Sequence, residues 1–253
     1  MDEFAISIDI DWAPDFAIEE AAKILTDHQV KCTWFITHNS PAVKKLSQNS
    51  LFELGIHPNF FLFSSQGNNE DEIIKFCFDI VPGAKCVRTH ALFQSSRLLK
   101  KLREDYGLLT DSSVYLPYAS NIQPHIVNYS HNSKPLTRIP YFWEDDLECY
   151  TAGKTWEFDN KKFFAEGLKI FNFHPTYIYL NIDEMHGYEK LKVEKCSKKP
   201  LYQVEKEEMA EYKNTGKGAG TLFQKVVEYI HNYQNGSQTL SEIREKYISS
   251  LEK

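Results

Sequence analysis

Short β-like runs alternate with amphipathic helical runs along most of this chain, and that alternation restricts its fold more than any other feature. Residues 4–11, 30–37, 52–57, 85–90, 108–111 and 138–143 read as strands, and 169–181 holds a last one. Between them 15–28, 69–78 and 95–106 read as helices, with Ala17, Ala21, Ile24 and Leu25 on one face of the first. Ser40-Pro41 starts another, with Ser as N-cap and Pro as first helical residue. Residues 163–168 read as a short helix. Strands separated by helices imply parallel βαβ units. Roughly seven such units suit an α/β fold closed or nearly closed into a (β/α) barrel better than an open sheet. A chain of 253 residues fits one such domain over 1–253.

The tail has a different character. Residues 186–220 are polar and lysine-rich with no strong period, and read as a surface excursion or lid. Residues 221–233 read as a helix, and Thr239 and Glu242 have capping-box spacing for a second. Gly216-Lys217-Gly218-Ala219-Gly220 lacks the spacing of a Walker loop and reads as a flexible entry to the last helices, though it could seat an anion such as a substrate phosphate at a helix N-terminus.

A net charge of −6 argues against a nucleic-acid partner. Five scattered cysteines without metal-type spacing suit reduced thiols, and the opening Met1-Asp2-Glu3 places acid where a secretion signal wants base. No apolar run is long enough to span a bilayer. These features together imply a cytoplasmic protein.

The first strand carries the clearest chemistry. In Ala5-Ile6-Ser7-Ile8-Asp9-Ile10-Asp11 the isoleucines take the even positions, so Asp9 and Asp11 are expected to share the opposite strand face at the C-terminal end. Two like charges side by side are costly without a cation, which favours a metal site over a wet acidic edge. His57-Pro58 and His174-Pro175 each end a strand-like run, where proline removes a ladder donor. A single such histidine is more often a hydrogen-bonded core residue; two beside the paired aspartates point to a site. Val87-Arg88-Thr89-His90 puts Arg88 and His90 on one face, and Arg88 could orient a carboxylate. His38 ends the second strand. Asp111-Ser112-Ser113 reads as a turn cap. All the candidates fall at the C-terminal ends of parallel strands, where barrel enzymes build their sites. The expected chemistry is that of a Lewis-acid hydrolase with a carboxylate base and a histidine acid.

Ile8-Asp9-Ile10-Asp11 resembles the first motif of the NodB-homology polysaccharide deacetylases, carbohydrate esterase family 4. That resemblance implies Asp9 as general base and Asp11 as metal ligand. His57 is similar to the metal-binding histidine of the second motif, and Arg88 to the arginine that holds the base. Residues 138–146, with Trp143 and Asp146, loosely resemble the fourth motif, which lines the groove. His174 is similar to the histidine that protonates the leaving group. The segments Asp-Ile-Asp-Trp-Ala-Pro-Asp and Gly-Ile-His-Pro-Asn-Phe resemble a subgroup found with bacterial O-antigen gene clusters. The family's second motif carries another histidine four positions after the first, and here that position is Phe61. The third ligand then comes from His90 or His38, with Asn59 a poorer oxygen donor, and His90 is favoured.

The resemblance implies one divalent metal, zinc first, with nickel, cobalt and iron also compatible. It implies a sugar substrate losing an acetyl or other acyl group, with a nucleotide- or lipid-linked intermediate favoured over assembled wall polymer. His38, Trp143 and Asp146 are expected to line the substrate site. The rival readings are a barrel amidohydrolase with a non-sugar substrate, and an inactive descendant that binds a glycan or a protein. A two-carboxylate glycosidase is less compatible, because it sets its acids about 5–10 Å apart across a cleft.

Overall fold

In the computed structural model, which describes residues 3–131, 133–233 and 236–252, β1 (Glu3–Asp9) lies near the middle of one sheet. α1 (Asp15–Asp27) follows and buries Ala17, Ile18, Ala21 and Leu25. β2 (Cys32–Ile36) is buried along its length. α2 (Pro41–Leu46), α3 (Glu70–Ile80) and α4 (Ser96–Glu104) flank β3 (Phe52–Ile56) and β4 (Cys86–Val87) in sequence. Each of these helices starts on a side-chain cap. Ser40, Asn69 and Ser95 accept the backbone N–H of Val43, Glu72 and Leu98, which satisfies donors that a helix N-terminus leaves open.

β5 (Thr110–Asp111), β6 (His125–Val127), β7 (Leu136–Arg138), β8 (Trp143–Glu144) and β9 (Leu168–Phe173) complete the sheet, in the order β6-β7-β5-β4-β3-β2-β1-β9-β8. Every neighbouring pair is parallel except β6 with β7. The expected single strand over 138–143 is instead split. β7 pairs with β5, and β8 pairs with β9 on the far side of the sheet. Between them Ile139 N–H donates to Asp111 O (2.9 Å) and Phe142 N–H to Ile170 O (2.9 Å). Pro140, which has no N–H, sits where the stretch changes partners. One extended stretch thus ties the two sides together and curls the sheet into a distorted barrel. Counted once, it joins β1, β2, β3, β4, β5 and β9 as seven parallel strands.

Other boundaries move as well, and the strands expected at 85–90 and 108–111 shorten to Cys86–Val87 and Thr110–Asp111. The short helix expected at 163–168 is a 3-10 turn over Lys161–Phe164, and Leu168 already belongs to β9. The last strand stops at Phe173, because Pro175 starts a helix, α6 (Pro175–Leu180). After α5 (Asp145–Glu148) and α6, the polar excursion holds α7 (Met185–Leu191) and α8 (Lys206–Ala210). The chain closes with α9 (Ala219–Tyr233) and α10 (Leu240–Leu251), the latter on the expected Thr239–Glu242 capping box. Among the described residues no helix is long and apolar enough to cross a membrane.

Gly55 of β3 shows how tightly the interior is filled. A Cβ there would meet the Cys86 carbonyl oxygen and two Phe35 ring carbons, all at 2.9 Å. Overpacking of this kind costs about 1–3 kcal/mol. Gly55→Ala is therefore expected to lower the unfolding free energy by that amount, read as a lower urea midpoint at constant slope, and an unchanged midpoint would show that Phe35 yields freely.

Candidate active site

A charged side chain lies inside the barrel. Arg88 follows β4 and is fully buried, with its guanidinium between the rings of Phe35 (4.6 Å) and Tyr141 (4.3 Å). A buried charge is tolerated when it is paired and hydrogen-bonded throughout. Its Nε donates to Ser112 O (3.0 Å) and its Nη2 to Ser112 Oγ (2.9 Å). Its Nη1 donates to Ser7 Oγ and Asp9 Oδ1, both at 3.0 Å, and to Asn172 Oδ1. Asn172 Nδ2 in turn donates to Asp9 Oδ2 (3.1 Å) and Glu144 Oε1 (2.9 Å), and Tyr141 Oη donates to Glu144 Oε2 (2.8 Å). Asp9 is therefore held by donors on both oxygens. Ser112, read from sequence as a turn cap, is an arginine clamp.

Asp11 reaches the mouth differently from expectation. β1 ends at Asp9, and Asp11 and Trp12 have φ of 37° and 54°. The two aspartates thus do not share a strand face; a left-handed turn carries Asp11 across to His57 and His90. Asp11 Oδ1 lies 3.2 Å from His57 Nε2 and 3.4 Å from His90 Nδ1, and those nitrogens are 3.3 Å apart. Donor atoms around a tetrahedral zinc ion are roughly 3.3 Å from one another, given metal–ligand bonds near 2.0–2.1 Å. Asp11 Oδ1 is buried without a hydrogen bond. Burial would raise the Asp11 carboxyl, but the facing His57 and His90 outweigh it and hold it well below its ordinary value. The oxygen, the two nitrogens and their spacing fit a divalent cation.

Two loops fix these imidazoles. Buried Gln66 donates to the carbonyls of Thr37 (2.9 Å) and His57 (3.1 Å) and accepts the Asn59 N–H (2.6 Å). His90 N–H donates to Pro58 O (3.0 Å), and its ring packs edge-on against Trp12. Phe61 offers no ligand atom and lies half-exposed with its ring near His90. His38 stands apart: it pairs with Thr37 Oγ1 (3.1 Å) and stacks on Tyr202.

His174 caps α6 opposite this cluster, with Nε2 3.7 Å from Asp11 Oδ2. Asp145 grips it twice, accepting from its backbone N–H (2.8 Å) and lying 2.6 Å from its Nδ1. Burial would depress the imidazole, but the Asp145 carboxylate outweighs it and raises His174 well above its ordinary value. Burial pushes Asp145 itself up to about 6, against the pull of His174. Burial, then Asp146, pushes Glu144 up to about 8. Asp145 was missed by sequence reasoning, which singled out Asp146 one residue later. The acidic run at the end of a strand was the available signal.

Asp9, Asp11, Glu144, Asp146 and His174 face a cavity of about 530 Å³, walled by Trp12, Leu92, Tyr177, Met185, Tyr188 and Lys192. That volume lies within the range of small-molecule sites, roughly 300–1,000 Å³. Two expected lining residues lie elsewhere. Trp143 is fully buried between aromatic rings, with Nε1 donating to Glu148 (3.2 Å), and His38 sits on the Tyr202 side. The glycine-rich segment before α9 has its donors spent on protein: Thr221 N–H on Asn181 Oδ1 (3.0 Å), Gly218 N–H on Thr221 Oγ1 (2.8 Å) and Ala219 N–H on Ile182 O (2.8 Å). It is a packing seam, neither the flexible entry expected nor an anion seat.

The family model described as WbmS-like polysaccharide deacetylase matches residues 6–192, well over half of the chain. A crystal structure from Bordetella bronchiseptica, described as a polysaccharide deacetylase (WbmS) involved in O-antigen biosynthesis, superposes with a TM-score of 0.77 and 26% identity over 90% of each chain. The peptidoglycan deacetylase PdaC of Bacillus subtilis superposes with a TM-score of 0.52 at 8% identity, covering 98% of this chain and 94% of its own, and so shares the fold. No curated protein matches the chain. With the NodB-like barrel and this cavity in place, the match over residues 6–192 shows that the chain belongs to the WbmS-like family of polysaccharide deacetylases.

Proposed function

We propose that this chain is a divalent-metal-dependent hydrolase that removes an acetyl group from an amino sugar in O-antigen or related surface-polysaccharide biosynthesis, on a nucleotide- or lipid-linked intermediate. The observation that carries this is the meeting of three units in one cavity: the Asp11–His57–His90 triangle, the Asp9–Arg88 pair and the His174–Asp145 pair. Asp11, His57 and His90 would hold the metal, zinc first among the candidates. When bound it supplies Lewis-acid chemistry, polarising the acyl carbonyl and making a water molecule acidic.

The chain's own groups divide the proton work. Asp9 accepts the proton of the attacking water; Arg88 and Asn172 hold both of its oxygens and keep it aimed at the cavity. His174 gives a proton to the departing amine. Asp145 fixes Nδ1, so Nε2 carries the transferable proton toward the cavity. Tyr177, Tyr188 and Trp12 offer aromatic faces to the sugar ring. The products are a free amino sugar and acetate.

Elemental analysis tests the metal. One equivalent per chain is expected in the wild type, with affinity lower by tenfold or more in Asp11→Ala, His57→Ala and His90→Ala, and retained in His38→Ala. A wild type that takes up no added zinc, nickel, cobalt or iron would end the proposal. A pH–kcat profile tests the acid. His174 must be protonated to act, and Asp145 raises its pKa, so the alkaline limb should lie above the ordinary imidazole range. In Asp145→Asn burial prevails, the limb moves to lower pH, and kcat falls about 10²–10⁴-fold. A limb that stays in place would remove His174 from the acid role.

A further inference from the structure

α7 continues into one wide π-type turn over Lys192–Cys196. Such turns are rare and collect at functional sites. Met185, Tyr188 and Lys192 recur at helical spacing, so one face of this segment looks into the cavity. Tyr188 lies edge-on to Tyr177 (4.9 Å), which stands beside His174 (5.0 Å). Lys192 Nζ sits 5.3 Å from the Tyr188 ring centre. The π turn thus begins at the residue that places an ammonium at the mouth.

The charges there are lopsided. Among the described lining residues Lys192 alone is a Lys or Arg, against Asp9, Asp11, Glu144 and Asp146 below. Three lysines near it are paired: Lys190 with Glu194 (3.9 Å), Lys195 with Glu211 (3.7 Å) and Lys199 with Glu208 (2.5 Å). Lys192 has no ion pair among the described residues. Arg88 already pairs with Asp9, and the imidazoles already face Asp11. An unpaired ammonium above an aromatic wall is a point-charge receptor for an anion.

We propose that Lys192 forms an anion subsite at the cavity mouth, and that the acylated sugar taken by this site carries a negatively charged group, phosphate or carboxylate, away from the scissile acyl group. This rests on the deacetylase reading and narrows its substrate class. A sugar 1-phosphate, or a nucleotide- or lipid-linked sugar, brings the charge as phosphate; a uronate brings it as carboxylate.

The test uses the metal-loaded full chain. Acetate release is measured from a neutral N-acetylhexosamine glycoside, its 1-phosphate, its nucleoside diphosphate derivative and an N-acetylated hexosaminuronate. The wild type should favour one anionic class over the neutral sugar by roughly tenfold in kcat/KM, and the favoured member identifies the source of charge. Lys192→Gln should abolish that preference, Lys192→Arg should restore most of it, and added salt should erode it. Equal use of neutral and anionic sugars by the wild type, or an equal loss on all substrates in Lys192→Gln, overturns the subsite. If no sugar releases acetate, the deacetylase reading fails. Calorimetric titration with the 1-phosphate and the neutral sugar then decides the subsite by itself. Tighter phosphate binding that Lys192→Gln removes upholds it, and equal binding of the two sugars overturns it.

Discussion

The guanidinium of Arg88 is the interaction on which the rest depends. It sits in the barrel interior and joins β1 through Ser7 and Asp9, β9 through Asn172, and the end of β5 through Ser112. Taking such a charge out of water costs several kcal/mol, and breaking a buried pair by removing one partner costs about 3–5 kcal/mol. The cost is offset here because its donors find acceptors and the Phe35 and Tyr141 rings lie within cation–π distance of it. Stability and the geometry of the candidate site are therefore the same set of contacts: the bonds that keep the arginine buried are those that hold Asp9 in place.

Around this rigid centre the cation cluster is built on strained backbone. Asp11–Trp12 and Ala91–Leu92 are two consecutive pairs of non-glycine residues with positive φ, and all four line the cavity that holds Asp11, His57 and His90. Each such residue costs on the order of 1–3 kcal/mol and persists only where its surroundings over-determine it. Here they do. Trp12 N–H donates to Thr37 Oγ1 (3.1 Å), Ala13 N–H to Ile10 O (2.7 Å) and Leu92 N–H to Thr89 O (2.9 Å). The gain is a triangle of donors that no straight strand could supply, since Asp9 and Asp11 on one strand face would both point into the barrel.

Much of the first half was legible in the sequence, because three of its helices begin at the caps Ser40, Asn69 and Ser95, while Asp9 ends β1 and His57 stands one residue past β3. The excursion was not. α7 and α8 each bury a single residue, Leu191 and Met209, so no apolar period marks them. In the site, Asp9, Arg88, His57 and His174 were named from strand ends. Asp11 was named on the premise of a shared strand face, while the structure brings it in by a turn. Asn172, Ser112, Gln66 and Asp145 were not seen as site residues. Their importance lies in partners 84, 24, 29 and 29 residues away, which no local pattern encodes. His90 was separable from His38 only by geometry, since each follows a short strand.

Asn172 shows why one residue type closes this network. Its two amide hydrogens go to two carboxylates, Asp9 and Glu144, while its carbonyl oxygen accepts from Ser7 and Arg88. That uses the full capacity of the side chain, two donors and two lone pairs. Aspartate would have the same shape but would set a third carboxylate against two others. Leucine would leave Asp9, Glu144 and Arg88 each short of a partner in a buried place. The amide therefore lets Asp9 keep one oxygen for Arg88 and one for Asn172, while burial and then Asp146 push the neighbouring Glu144 carboxyl upward. Asp9 and His174 keep distinct surroundings because each has its own buried partner: Arg88 for Asp9, and Asp145 for His174.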